Sequence, residues 1–297
     1  MKCDLCPRKC LVDRKKGEKG ICGQTENLKV ARAALHFWEE PCISGDAGSG
    51  AVFFSGCPLH CVFCQNENIA NGTVGKEISL ERLVDIFLEL QEKRANNINL
   101  VTPGHFVPQI VKALDQARKE GLTLPVVYNT SSYETVDTIK MLEGYVDIYL
   151  PDFKYMSPVL SKKYSHAPDY AEVAKAAIAE MVRQTGKAVF VNGDEDNLIL
   201  SGTIVRHLTL PGCMADSMQI LKYLHDTYGD MIYISIMNQF TPLSNLEKYP
   251  ELNRRITDEE YETLVDYAIE IGIENGFIQE GNTAEESFIP AFDEEGI

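Results

Sequence analysis

The stretch Ala51-Val52-Phe53-Phe54-Ser55-Gly56-Cys57-Pro58-Leu59-His60-Cys61-Val62-Phe63-Cys64-Gln65-Asn66 decides the reading of this chain. Its first five residues are an apolar run of strand length, and a loop with C-x3-C-x2-C spacing follows at once. Iron–sulfur clusters are held by cysteine thiolates, and a four-iron cluster held by protein alone needs four of them. Three cysteines leave one iron open, and open coordination positions are where metal sites do chemistry. A zinc knuckle or a set of buried thiols is the alternative, so the surroundings must arbitrate.

Outward from this loop, short apolar runs alternate with amphipathic stretches. Strands are expected at Ile98–Val101, Pro125–Tyr128, Val146–Leu150, Ala188–Val191, Thr203–Leu210 and Met231–Ile236. Ser79 is placed to cap a helix through about Arg94, with Leu80, Leu83, Val84, Phe87 and Leu88 on one face. Further helices are expected over about Phe106–Glu120, Glu134–Glu143, Ala171–Gln184, Asp216–Thr227 and Asp258–Ile273. Strands alternating with helices predict right-handed βαβ units on a parallel sheet. About six such units are counted, fewer than the eight of a closed barrel. The expected organisation is an irregular cysteine-rich extension over residues 1–49 and a barrel over residues 50–297.

In parallel βα architectures, ligands bind at the carboxyl ends of the strands. The three-cysteine loop, Thr102-Pro103-Gly104-His105, Asn129-Thr130-Ser131, Asp152-Phe153-Lys154 and Asn238-Gln239 all follow expected strands. One rim therefore gathers thiols, cations and polar backbone.

Composition narrows the function classes. With 28 Lys+Arg against 44 Asp+Glu, the net charge of −16 disfavours nucleic-acid backbones and anionic membranes. No run of about 18 apolar residues occurs, and Met1–Cys6 lacks an apolar signal core. The expectation is a cytoplasmic protein, in which nine cysteines read as metal ligands rather than disulfides. An open-iron cluster is sensitive to oxygen, which suits an anaerobic host.

The run Gly56–Asn66, the Asp152-Phe153-Lys154 segment and Arg206-His207-Leu208-Thr209-Leu210-Pro211-Gly212 resemble, in order, the pyruvate formate-lyase activating enzyme family. That family lies within the radical S-adenosylmethionine superfamily, and the branch resembled carries an extra cysteine-rich N-terminus. The resemblance implies an α/β partial (β/α)6 barrel of the radical SAM type. It implies a 4Fe-4S cluster on Cys57, Cys61 and Cys64, whose fourth iron takes S-adenosylmethionine. Reductive cleavage of that cofactor to a 5′-deoxyadenosyl radical for hydrogen abstraction is the implied oxidoreductase activity. A glycyl radical enzyme is the implied partner, with a flavodoxin- or ferredoxin-type electron donor; the alternative substrate is a small molecule or a peptide. A non-enzymatic iron–sulfur or zinc protein is the remaining reading.

The chain also departs from that pattern. Thr102-Pro103-Gly104-His105 stands where the family places Gly-Gly-Glu, leaving backbone carbonyls and Thr102 for the methionyl amino group. Asn238-Gln239-Phe240 stands where the family has a histidine. Lys154 and Arg206 are the cations expected at the cofactor carboxylate or ribose, because charge-assisted pairs are strong in a dry site. Asp152 is expected to orient Lys154 or accept from a ribose hydroxyl, and Asn129 to contact the ribose. The bland reading of Asp152 and Lys154 is a surface ion pair at a strand end. His60 is read as satisfying backbone rather than ligating metal, and no residue is assigned a catalytic acid–base role.

A second cysteine set comprises Cys3, Cys6, Cys10 and Cys22. Four thiolates close a tetrahedral zinc site or hold an auxiliary 4Fe-4S cluster, with no open position in either case. Cys42 and Cys213 are left over and read as small buried hydrophobes.

Overall fold

The computed structural model describes residues 2–194, 197–243, 246–279 and 292–297. Strands that are apolar on both faces need a cover of helices on one side and a filled lumen on the other. The chain builds both. In chain order the elements are β1 (Lys29–His36), α1 (Pro41–Ser44), β2 (Ser49–Phe54), α2 (Glu67–Ala70), β3 (Lys76–Glu77), α3 (Leu80–Glu92) and β4 (Ile98–Val101). Then come α4 (Val107–Lys119), β5 (Val126–Thr130), α5 (Val136–Lys140), β6 (Ile148–Pro151), α6 (Pro158–Ser165), α7 (Tyr170–Thr185) and β7 (Val189–Phe190). The described set closes with β8 (Ile199–Leu208), α8 (Met214–Tyr228), β9 (Tyr233–Met237), α9 (Asp258–Glu270) and β10 (Gly276–Ile278).

The sheet runs β10-β9-β8-β6-β5-β4-β2-β1-β3. From β2 through β10 every pairing on this path is parallel. Six of these strands are each followed by a helix, giving the α/β partial (β/α)6 barrel expected from the sequence. Helices α3 and α4 press Leu83, Val84, Phe87, Leu90, Ile110 and Leu114 onto the outer face of the sheet. Burying such side chains contributes about 1.5–3 kcal/mol each. Ser79 caps α3 as expected, its hydroxyl accepting from the Arg82 amide.

Three expectations need correction. Residues 1–49 are not irregular throughout, because β1 pairs antiparallel with β2 from Val30↔Phe54 to His36↔Ser49. Its buried positions are mostly alanine, at Ala31, Ala33 and Ala34, so β-propensity gave no signal and pairing decided the conformation. The run Ala188–Val191 contributes only a two-residue antiparallel bridge onto β8 rather than a parallel barrel strand. The last strand, β10, was not anticipated; it is three residues long.

After β1 the chain passes under the barrel. Cys42 and Ile43 of α1 pack into the lumen against Val127, Ile148, Leu150 and Ile204. The Asn96 and Asn97 side-chain amides hold the carbonyls of Ser44 and Ile43 at 2.6 and 2.8 Å. Residues 37–48 thus form a floor whose position is fixed by the loop entering β4.

On the outer side of β5, Glu134 is buried and accepts hydrogen bonds from Thr130 Oγ1 at 2.8 Å and Tyr128 OH at 3.3 Å. Burial pushes its carboxyl from the usual 4.5 to about 7. Because the folded state holds the proton more tightly, ionising Glu134 destabilises the fold. This carboxyl should therefore cost no stability below the unfolded value, and about 3 kcal/mol once the pH has risen through the folded one. Urea denaturation on both sides of that window should show the fall in the native protein and its loss in Glu134→Gln.

Candidate active site

The cysteine loop begins where β2 ends. The Gly56 amide donates to the Ile69 carbonyl at 2.7 Å, and its φ of +93° lies in the left-handed region. A Cβ there would stand 2.4 Å from the Cys22 carbonyl oxygen, so only glycine fits beneath the N-terminal segment. The His60 ring spans the Ile21 carbonyl at 2.7 Å and Asn71 Oδ1 at 3.3 Å, so it satisfies backbone as expected. Cys61 Sγ accepts from Ser165 Oγ at 2.9 Å. Phe63 is buried, edge-on to Tyr155, Tyr164 and Phe240.

Cys57, Cys61 and Cys64 line one cavity of about 450 Å³ together with Thr102, Asn129, Asp152, Lys154 and Arg206. Burial, reinforced by the neighbouring thiols and opposed by Lys154, pushes Cys57 up to about 11 and Cys64 up to about 12. Among the described residues, no three Cys, His, Asp or Glu side chains are closed to ion-holding distance, the two thiol sets included. The donor chemistry nonetheless fits an iron–sulfur cluster: three thiols share one loop, with a lysine ammonium acting on Cys57 and Cys64.

The lumen above the floor is organised by Arg206, which β8 turns inward. Its Nε donates to Asp152 Oδ1 at 3.0 Å, one terminal nitrogen to Glu39 Oε2 at 2.9 Å and the other to Asn129 Oδ1 at 2.6 Å. Lys154 Nζ holds the second Asp152 oxygen at 2.7 Å. Asp152 therefore bridges two cations, which hold its carboxyl below the usual range despite burial. Alternation in the sequence left the direction of Arg206 open. His207 takes the outward face, between the Phe153 carbonyl and Ser217 Oγ at 2.8 Å each. Burial lowers it to about 4, so it is neutral. The surface-pair reading of Asp152 and Lys154 is excluded, since both side chains are largely buried.

Thr102 reaches the cavity with φ of +55°, its amide donating to the Asn129 carbonyl at 2.9 Å. Pro103 and Gly104 are not part of the lining; Gly104 lies against Glu134, where a Cβ would stand 2.4 Å from the carboxylate. Sequence reasoning missed Glu39 and Glu40, which line the same cavity from the floor with the neighbouring Trp38. Glu39 is held by Arg206 and by the Asn99 and Asn129 amides at 3.0 and 3.1 Å. The available signal was two adjacent acids, Glu39-Glu40, beside the chain's one tryptophan and before Pro41.

The second cysteine set folds beside the first. Cys3 exchanges backbone bonds with Val12 and Leu11 at 2.9 Å, and Cys10 Sγ accepts from the Ile21 amide at 3.2 Å. Burial raises the Cys6 thiol to about 12 and raises Cys22 as well, with Cys10 adding to both. Cys42 is buried in the lumen core, and Cys213 packs partly buried against the helices.

The sequence model of the Radical SAM superfamily matches residues 51–197. An uncharacterized protein of Methanocaldococcus jannaschii is 27% identical over 275 residues, 90% of this chain and 74% of its own length. Among solved structures, HydG, a maturase of the FeFe-hydrogenase, is similar with a TM-score of 0.51 at 14% identity, over 76% of this chain and 50% of that one. Streptococcus suis SuiB bound to S-adenosylmethionine gives 0.52 at 13%, over 75% and 48%. Methylornithine synthase PylB gives 0.51 at 15%, over 75% and 60%. The chain spans about half the length of HydG and SuiB. At these identities the likeness is one of fold.

Because Arg206 is met by three protein acceptors, its removal leaves Glu39 without a cation and Asp152 with Lys154 alone. Arg206→Ala should destabilise the fold by about 3–5 kcal/mol, the scale for breaking a buried ion network. Lys154→Ala leaves Asp152 still paired and should cost clearly less. Chemical denaturation of both variants checks the order.

Proposed function

We propose, from the match of residues 51–197 to the Radical SAM superfamily model, an enzyme of that superfamily that abstracts hydrogen from a small molecule or a peptide segment held in the lumen. The observation that carries this reading is the convergence of Cys57, Cys61 and Cys64 with Asp152, Lys154 and Arg206 on one cavity. Cys57, Cys61 and Cys64 would hold the 4Fe-4S cluster. When bound, that cluster and S-adenosylmethionine together supply one-electron cleavage of the cofactor and a hydrogen-abstracting radical.

The protein's part is to bind, orient and keep water out. Lys154 has one protein partner in Asp152, so its remaining donors suit the cofactor carboxylate. Arg206, engaged on three sides, positions Asp152 and Asn129 for the ribose hydroxyls. Thr102 presents its side chain and strained backbone where the family has Gly-Gly-Glu. Leu59 and Phe63 form an apolar wall beside the thiols.

A flavodoxin- or ferredoxin-type donor is the proposed electron source. Activation of a glycyl radical enzyme is the finer reading drawn from the Gly56–Asn66, Asp152–Lys154 and Arg206–Gly212 segments. The lumen's own polar lining favours the smaller substrate, since a main-chain glycine needs few polar contacts. For the N-terminal thiols we propose a closed site for zinc or an auxiliary 4Fe-4S cluster.

Anaerobically reconstituted and reduced protein should form methionine and 5′-deoxyadenosine from S-adenosylmethionine. Cys57→Ala, Cys61→Ala or Cys64→Ala should each abolish this, and full turnover by any one of them would sink the cluster assignment.

The N-terminal site is tested separately. Protein with Cys57, Cys61 and Cys64 all changed to alanine should still carry zinc or a residual cluster, read by metal analysis and absorption. Further replacement of Cys6 and Cys10 should remove it.

A further inference from the structure

The cations of the lumen are already engaged by its own anions. Asp152 is shared by Lys154 and Arg206, and Arg206 also holds Glu39. Glu40 has no such partner. It is 8% exposed, lines the cavity, and its Oε2 has no hydrogen-bond partner. Burial pushes its carboxyl above the usual range, and Arg206, acting through space, opposes this. The other titratable groups nearby add no positive charge: burial keeps His36 and the Cys42 thiol neutral.

Three carboxylates, Glu39, Glu40 and Asp152, thus face two cations. An unpaired buried carboxylate is costly, and a cationic ligand placed against Glu40 removes that cost. Trp38, Phe53 and Phe277 line the same cavity. Carboxylates and aromatic faces lining one cavity are the chemistry that recognises an organic cation.

We propose that the substrate carries an aliphatic ammonium or guanidinium group, and that this group pairs with the Glu40 carboxylate in a wall shared with Trp38. The proposal rests on reading the lumen as the substrate chamber. It deepens that reading by naming the ligand's charge and its anchor. Glu40 is then a specificity residue, with the reacting carbon elsewhere in the cavity.

Trp38 is the chain's one tryptophan, so its fluorescence reports on this wall without any turnover. Reconstituted protein would be titrated with N-acetyl-lysine methylamide, its arginine counterpart, the uncharged norleucine counterpart, and S-adenosylmethionine alone. The lysine or arginine probe should saturate the signal at least about tenfold more tightly than norleucine, a discrimination of about 1.4 kcal/mol. Glu40→Gln, checked for a native melting profile, should erase that difference. Equal binding of charged and uncharged probes, or no binding by either charged probe, overturns the proposal. So does a result in which Glu40→Gln weakens only S-adenosylmethionine, since the cation would then be the cofactor's own ammonium. Formation of 5′-deoxyadenosine is scored separately: its absence beside intact discrimination would remove the radical chemistry and leave the cation site standing.

Discussion

A guanidinium inside a parallel barrel must be met by acceptors on every side, and Arg206 sets that demand for this molecule. Water cannot fully solvate it there, and an uncompensated charge would cost several kcal/mol. The acceptors come from three separate parts of the chain: Asp152 beyond β6, Asn129 in β5 and Glu39 from the floor. Backbone follows side chain, since Asp152 bridges Arg206 in parallel and the Phe153 amide donates to the Arg206 carbonyl at 2.8 Å. The floor has to return under the barrel for Glu39 to reach its place. One buried charge thus ties β5, β6, β8 and residues 37–45 into a single arrangement.

What could be read from the sequence follows from what each residue type reveals locally. Apolar runs such as Ile98–Val101 and Val146–Leu150 declared buried strands, and the C-x3-C-x2-C spacing declared its chemistry without any tertiary information. The cavity then collected Cys57, Cys61, Cys64, Thr102, Asn129, Asp152, Lys154 and Arg206 as the strand-end positions implied. Three things stayed hidden because they depend on partners distant in sequence. An alanine-rich strand declares itself only through pairing, as β1 does with β2. Glu39 was passed over because the partner that gives it a role, Arg206, lies far along the chain. Arg206 and His207 are both polar neighbours on β8, so alternation alone could not say which faced the lumen.

The two cysteine sets are mechanically one unit. Arg8, inside the N-terminal set, donates to the Pro58 carbonyl at 2.9 Å and to the His166 and Ser165 carbonyls at 2.6 and 3.0 Å, with its guanidinium 5.1 Å over the Tyr133 ring. Ser165 in turn donates to Cys61 Sγ. A second connection runs from Cys10 through Ile21 to His60. Both end in the loop that carries Cys57, Cys61 and Cys64. Whatever orders Cys6 and Cys10 therefore also restrains the geometry of Cys57–Cys64, which gives the N-terminal segment a structural reason to sit where it does.

The open form of the barrel completes this logic. Eight closed strands fill their lumen with layers of apolar side chains and leave no chamber. Here the parallel run stops at β10 on one side and at β2 with β1 on the other, and the cavity is lined from both edges by Phe277 and Ile278 and by His36 and Phe53. An open sheet carries exposed edges, which invite pairing with other chains. The β1 edge is covered from within: the Ala33 amide donates to the Glu295 carbonyl at 2.9 Å, Arg32 pairs with Asp293 and Glu295, and Phe292 packs 5.5 Å from the Phe53 ring. The seam can then stay open for a ligand while the strand beside it is protected, and the polar layer around Arg206 gives the chamber a charged interior that a closed apolar barrel could not sustain.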